Sequence, residues 1–302
     1  MDTSRQVYEL EATGWRRGLY DDIQHTFRAP IVNWIFRTAV ANLPEFTRYA
    51  WGQVKPLFGT RQFAAFSVEY RDTVLAAMEE EGGSLPTLRK PDTGLLPAEY
   101  AALHGQVATF DVVAPRLAVL FETVDRALHD EPVGTDPPDE RTTTAPLPQD
   151  LDRDRGLPPT MADDVPDGVA DTVGEIRAFH GFGGDDLPSI YRCLLQWPGY
   201  LEPAWDALEP RLEGAGFEAA CERSSELVES FVDRAPYRPA LGQGALEAAG
   251  VGDAGEDARE LFRSFNSGPV ETVLPALPVW ASTVGAEGER SLRSGGRSAV
   301  DR

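Results

Sequence analysis

Few residues in this 302-residue chain stand at spacings that could do chemistry. The tandem carboxylates Asp185 and Asp186, in HGFGGDDLPSIYR, are the most suggestive. They precede a predicted helix with Pro188 in its first turn, so they could cap that helix or serve as a general base. The four histidines, His25, His104, His129 and His180, show neither HExxH nor another short ligand spacing, which points to surface or core roles and to no metal. The GFGG run at 181–184 has no strand before it and no phosphate-loop lysine after it, and reads as a flexible turn. Cys193 and Cys221 are too few for a disulfide framework and too far apart for a CxxC redox pair, so they read as small buried hydrophobes. No cofactor is implied.

Carboxylates do chemistry only where a scaffold holds them, and the scaffold read from this sequence is helical. At an offset of 154, Pro44, Ala50, Trp51 and Pro56 match Pro198, Ala204, Trp205 and Pro210, so two segments share the pattern P-x5-A-W-x4-P. With six tryptophans in the chain, a matched pair inside such a frame argues for an internal repeat. Leu43, Phe46, Ala50, Trp51, Val54 and Leu57 recur at helical steps, as do Trp197, Leu201, Ala204, Trp205, Leu208 and Leu212. Further helices are predicted near 8–27, 63–80, 97–129, 170–179, 217–233 and 254–265. Residues 131–168 are dense in Pro, Thr and Asp and predict a surface linker, while the polar, glycine-rich 285–302 predicts a disordered tail. The resulting organisation is one helical repeat over 1–130, the linker, a second repeat over 169–284, and the tail. The fold class is all-α, with the two repeats packed through a pseudo-twofold relation around an apolar cleft.

Acidic residues outnumber basic ones by 49 to 28, giving a formal charge of −21 and opposing nucleic-acid or anionic-membrane partners. Lysine occurs only at Lys55 and Lys90, a balance suited to a salty interior where charge repulsion is screened. No stretch has signal-peptide character or approaches the ~20 apolar residues needed to span a bilayer, so a soluble cytoplasmic protein is expected.

The run YDDIQHTFRAPIVNWIFR, through Tyr20, Asp22, Ile23, Thr26, Arg28, Pro30, Val32 and Arg37, resembles the opening of the group I 2-haloacid dehalogenases, also called halocarboxylic acid dehydrogenases. Ala50 with Trp51, Thr60 with Arg61, Phe110, Pro115, the Pro132, Val133, Gly134 triplet and Trp197 with Pro198 continue the resemblance in order. It implies two helical repeats around an apolar pocket, often in a homodimer. It also implies hydrolysis of short 2-haloalkanoic acids by water that a carboxylate activates and a second polar group positions.

The chain departs from that pattern where the chemistry should be. The family's catalytic aspartate falls on Ile190, its water-positioning asparagine on Ala114, and a further glutamate on Ala64, although Thr60 remains. None of these replacements can take a proton. Candidate substitutes are Asp111, which stands at the first asparagine of the family's Phe-Asn stretch and otherwise reads as a partly exposed helix or turn acid, Asp185, Asp186 and Thr60. A pseudo-symmetric transfer of the site would instead use Asn266 with Glu218, although an asparagine before Ser-Gly-Pro is ordinarily turn chemistry. Trp34, Phe110, Ala114 and Ile190 are expected to line the pocket. Two functions follow: a hydrolase working through relocated groups, or a non-catalytic protein whose cleft binds a small carboxylic acid or other apolar small molecule, or whose faces mediate assembly.

Overall fold

The computed structural model describes residues 1–2, 4–134, 156–184 and 186–291, and every regular element among them is helical. The first half comprises α1 (Gly14–Phe27), α2 (Trp34–Asn42), α3 (Pro44–Phe58), α4 (Arg61–Gly82), α5 (Lys90–Thr93) and α6 (Pro97–Leu128). The second comprises α7 (Ala170–His180), α8 (Ser189–Leu194), α9 (Pro198–Leu212), α10 (Ala215–Asp233), α11 (Gln243–Ala248), α12 (Gly255–Phe265) and α13 (Val270–Ser282). No described helix is long and apolar enough to cross a membrane.

Helix α6 is the axis of the molecule. It runs for 32 residues and from Gln106 to Phe121 every residue is buried, so it must be enclosed on all sides. Helices α12 and α13 enclose one flank, α10 packs along α4, and a single apolar cluster extends from Ala12 to Ala286. The two halves therefore share one core.

Helices α3 and α9 are built alike. Each is 15 residues long and begins on a proline, which the first turn tolerates because its amide has no intrahelical acceptor. Trp51 and Trp205 are 4% and 0% exposed. Each indole N–H reaches a carboxylate on an earlier helix: Trp51 donates to Asp22 Oδ2 at 2.8 Å, and Trp205 to Glu175 Oε2 at 3.1 Å. A buried tryptophan of this kind keeps its polar edge satisfied while its rings fill the core.

The segments set apart by composition are more tightly held than expected. At the start of the linker Val133 is buried, and the Gly134 N–H donates to Val232 O at 2.9 Å. Gly134 has φ +60 and a side chain there would collide with the Tyr237 carbonyl, so only glycine fits. At its far end Leu157 N–H donates to Gly105 O at 2.7 Å and Thr160 N–H to Gln106 Oε1 at 2.9 Å. The remainder of the linker, 135–155, lies outside the described residues, as does 292–302. Residues 285–291 are docked rather than loose. Ala286 is 3% exposed, and Arg290 bridges Asp72 Oδ1 at 3.0 Å and both oxygens of Glu79 at 2.8 and 2.9 Å. The hydrogen bonds from Arg290 hold the Glu79 carboxyl below its ordinary range. Composition assigns this segment to the tail because its side-chain partners Asp72 and Glu79 lie more than 200 residues away in sequence.

One buried histidine adds to the protein's sensitivity to acid. His180 is 4% exposed, and its ring nitrogens meet Thr272 Oγ1 at 2.7 Å and Tyr191 Oη at 2.5 Å. Burial drives its pKa from 6.5 down to about 3. The fold thus favours the neutral ring: its contribution is complete above pH 6.5 and declines as pH falls from there toward 3. At pH 5 the loss amounts to about 2 kcal/mol. Urea titrations at pH 7 and pH 5 should therefore show a steeper loss for the wild type than for His180→Gln. Equal acid sensitivity of the two proteins would refute this assignment.

Candidate functional site

A cavity of about 100 Å³ lies where the start of α2, the middle of α6, the start of α8 and helix α13 converge. Trp34, Phe110 and Ile190, three of the four residues expected in a pocket, line it together. Val113, Leu117 and Phe121 of α6 join Phe110 at helical spacing, and Val273, Leu274 and Leu277 of α13 form the opposite wall. Phe265 closes one side, its ring edge-on to Trp34 at 5.3 Å. Phe182 and Pro188 complete the apolar surface.

Ala114 corrects the expectation. It is 0% exposed within α6 but is absent from the cavity wall, which its neighbour Val113 provides. No Asp, Glu, His, Lys or Arg is among the described lining residues. The polar side chains present are Asn33 and Ser189, together with the Trp34 indole. Asn33 is the N-cap of α2, yet its side chain makes no capping bond, and Asn33 Oδ1 and Trp34 Nε1 are both buried without a hydrogen-bond partner.

The substitutes proposed from sequence are occupied elsewhere. Asp111, expected to be partly exposed, is 0% exposed and locked in a buried ion pair: Arg71 Nε donates to its two oxygens at 2.8 and 2.9 Å, and Gly288 N–H to Oδ2 at 3.1 Å. These contacts occupy both carboxylate oxygens and tie the 285–291 segment to the core. Thr60 caps α4, accepting from Phe63 N–H at 3.1 Å and donating to Leu57 O at 2.7 Å. Ala64 is buried in the first turn of that helix and lines no part of the cavity. Asp186 is exposed and contributes its backbone carbonyl, 3.1 Å from Arg177 Nε. Helix α8 begins after Pro188 with no side-chain cap, so Asp186 does not cap it. Asp185 lies outside the described residues.

Asn266 and Glu218 do not meet. Glu218 is exposed on α10, whereas Asn266 Nδ2 donates to Glu122 Oε2 at 2.8 Å and Asp125 Oδ2 at 3.1 Å. Asn266 and Glu122 line a second, larger cavity of about 300 Å³, which shares Phe121, Phe265, Val270 and Leu274 with the first. Size favours this hollow; chemistry does not. Glu122 has both oxygens engaged, Oε1 by Arg126 and Oε2 by Asn266, and Glu271 adds a second carboxylate, which gives this hollow a negative lining. The apolar cavity is therefore the candidate site.

Sequence reasoning missed Asn33, Ser189 and all of α13. In VETVLPALPVWAS, Pro275 and Pro278 interrupt the pattern and apolar residues occupy nearly every side, so no amphipathic stripe marks a helix. The usable signal is the unbroken apolar length, which identifies a wholly buried helix.

Residues 30–165 match the family model for Halocarboxylic acid dehydrogenase DehI. The configuration-inverting 2-haloacid dehalogenase of Pseudomonas sp. (strain 113) is 25% identical over 234 residues, spanning 75% of this chain and 74% of that protein. The (R)-2-haloacid dehalogenase of Rhizobium sp. (strain NHG3) is 26% identical over 251 residues, spanning 82% of this chain and 94% of the relative. Among solved structures, a D-2-haloacid dehalogenase mutant in complex with D-2-CPA superposes with a TM-score of 0.76 at 18% identity, covering 92% of this chain and 95% of that one. A complex of D-2-haloacid dehalogenase with L-LA superposes with a TM-score of 0.71 at 17% identity and the same coverage. The chain is thus similar in sequence to 2-haloacid dehalogenases over three quarters of its length, and it shares an all-helical fold with solved ones over more than nine tenths.

Proposed function

We propose that this chain is a divergent relative of the group I 2-haloacid dehalogenases, built from two homologous helical halves, that binds a small molecule in its apolar cavity without hydrolysing it. The observation that carries this reading is the lining itself. Displacing halide with water needs a carboxylate near the reacting carbon, because water at neutral pH is a poor nucleophile. Ile190 occupies the position where the family resemblance expects that carboxylate, and the rest of the described wall supplies none. Asp111, the nearest alternative in the pattern, is committed to Arg71.

The cavity, about 100 Å³ and open on one side, is of the order of the engineered cavity of about 150 Å³ that holds benzene. 2-Chloropropionate and its neutral amide have as many heavy atoms as benzene and can place part of their volume in the opening. Calorimetry in concentrated salt should detect saturable binding of at least one of them. Incubation with 2-chloropropionate should release halide no faster than buffer does. Efficient turnover by the wild-type chain would overturn the reading and send the search for a base to Asp185 and Asp186; binding of neither compound would remove the cavity as the ligand site.

A further inference from the structure

The larger cavity, unsuited to an anion, has a chemistry of its own. At about 300 Å³ it reaches the size of ordinary small-molecule sites, and it lies among α4, α6, α10, α13 and the end of α12. Tyr70 and Phe121, 1% and 3% exposed, and the half-buried Phe265 give it an aromatic wall, with the Phe121 and Phe265 rings 5.6 Å apart. Glu122 and Glu271 make it acidic, and no lysine, arginine or histidine stands among the described lining residues to offset them.

The neutral polar groups favour the same kind of ligand, because their protons are already committed. Asn266 Nδ2 donates to both Glu122 Oε2 and Asp125 Oδ2, which fixes the orientation of the amide and leaves Oδ1, an acceptor, as its remaining polar atom. Ser224, 2% exposed, donates to Cys221 O at 3.1 Å, and Tyr70 is hydrogen-bonded to Ser224, so the phenol supplies the proton of that bond. Tyr70 and Ser224 then have only lone pairs left to offer. Of the described lining side chains, Ser225 and the Cys221 thiol alone keep a proton to give. Nor are the charges balanced from outside: Arg126 is divided between Glu122 and Asp233, and no described residue pairs with the Glu271 carboxylate. A carboxylate would be repelled here, and a hydrocarbon would leave the acceptors unmet. An ammonium group brings three donors and no acceptor, and aromatic faces attract its charge.

We propose that this cavity binds a small organic ammonium ion, whose N–H donors meet the acceptors of Glu122, Asn266 and Glu271 and whose apolar body lies against Tyr70, Phe121 and Phe265. It is a second site, with a charge preference opposite to that of an acid-binding pocket, and it stands independently of what the apolar cavity binds.

Benzylamine, cationic at pH 7, benzyl alcohol and benzoate share one ring and differ in charge. Calorimetry in about 1 M salt confines unspecific attraction to the acidic surface to a range of ~3 Å. Under those conditions benzylamine should bind at least roughly tenfold more tightly than benzyl alcohol, and benzoate should not bind. Glu122→Gln and Glu271→Gln, each keeping an acceptor but removing a charge, should weaken benzylamine binding roughly three- to tenfold and leave benzyl alcohol within about twofold. Asp206→Asn removes an exposed charge on α9, outside the cavity, and should change neither. Melting curves verify that the variants fold; if Glu122→Gln does not, since Glu122 also holds Arg126 and Asn266, Glu271→Gln carries the comparison. Equal affinity for the amine and the alcohol would remove charge from the recognition and overturn the proposal. Equal weakening by Asp206→Asn and Glu271→Gln would place the amine on the general surface and overturn it too, as would a failure of benzylamine to bind. None of these results bears on 2-chloropropionate in the apolar cavity, which its own titration reads.

Discussion

Replacing Ile190 by aspartate is expected to create halide release from 2-chloropropionate where the wild-type chain gives only the background rate. Ile190 is 1% exposed, stands in the first turn of α8 and lines the cavity, so a carboxylate there would reach a bound ligand. General-base catalysis contributes ~100- to 10,000-fold, and the gain should fall in that range. The family pattern pairs this change with Ala114→Asn, but Ala114 is not on the cavity wall, whereas Asn33 already places a carboxamide there. Ile190→Asp alone should therefore carry most of the gain, with Ala114→Asn adding little. Its apolar surroundings will raise the pKa of the new carboxyl. Because only the ionised form accepts a proton, the rate should rise with pH through that elevated value rather than level off in the ordinary carboxylate range. Ile190→Asn is the control, introducing similar bulk and polarity without a base. If it matched Ile190→Asp, base catalysis would not be the explanation; if neither exceeded the wild type, the ligand would not lie against α8.

Asp111→Ala should lower folding stability by about 3–5 kcal/mol, the usual cost of removing one partner of a buried ion pair. Arg71 and Asp111 are 3% and 0% exposed, and without its partner the Arg71 guanidinium would be left charged in the core. The same substitution frees Gly288 N–H, which donates to Asp111, while Arg71 alone would hold the Glu289 carbonyl at 2.8 Å. Limited proteolysis should accordingly cut the 285–291 segment earlier in the variant. Replacing both partners with apolar residues of similar size, Arg71→Met with Asp111→Leu, should recover most of the lost stability, since no charge then remains buried. Urea titration of the three proteins measures this. A structural anchor and a catalytic base differ in what they predict: a base gives an inactive but stable Asp111→Asn, so an Asp111→Ala variant as stable as the wild type would restore Asp111 to the list of catalytic candidates.

Much of this molecule is legible from sequence because helical periodicity is a local property. The predicted spans near 63–80, 97–129, 170–179, 217–233 and 254–265 correspond to α4, α6, α7, α10 and α12, with ends displaced by one or two residues. The first prediction began too early because residues 8–13 form turns and irregular backbone before α1. The prolines at 44 and 198 mark the starts of α3 and α9, since a first-turn amide needs no acceptor. The pocket residues Trp34, Phe110 and Ile190 were reached by resemblance, and the absence of a proton acceptor at Ile190 is visible in the sequence itself.

Tertiary structure alone decided the rest, and the reason in each case is a partner distant in sequence. Asp111 reads as a half-exposed helical acid until Arg71, 40 residues away, is seen to bury it. The 285–291 segment reads as tail until Asp72, Glu79 and the Arg71–Asp111 pair provide it with partners. Asn266 looks like turn chemistry until it meets Glu122 and Asp125 across the core. Helix α13 has no polar face to betray its period, because α6, α4 and α10 enclose it. Most consequentially, the sequence supplied the apolar residues of a cavity but not their convergence: that α2, α6, α8 and α13 bring Trp34, Phe110, Ile190 and Leu274 around one hollow, and that Asn33 leaves its own helix uncapped, are outcomes of packing that no local pattern encodes.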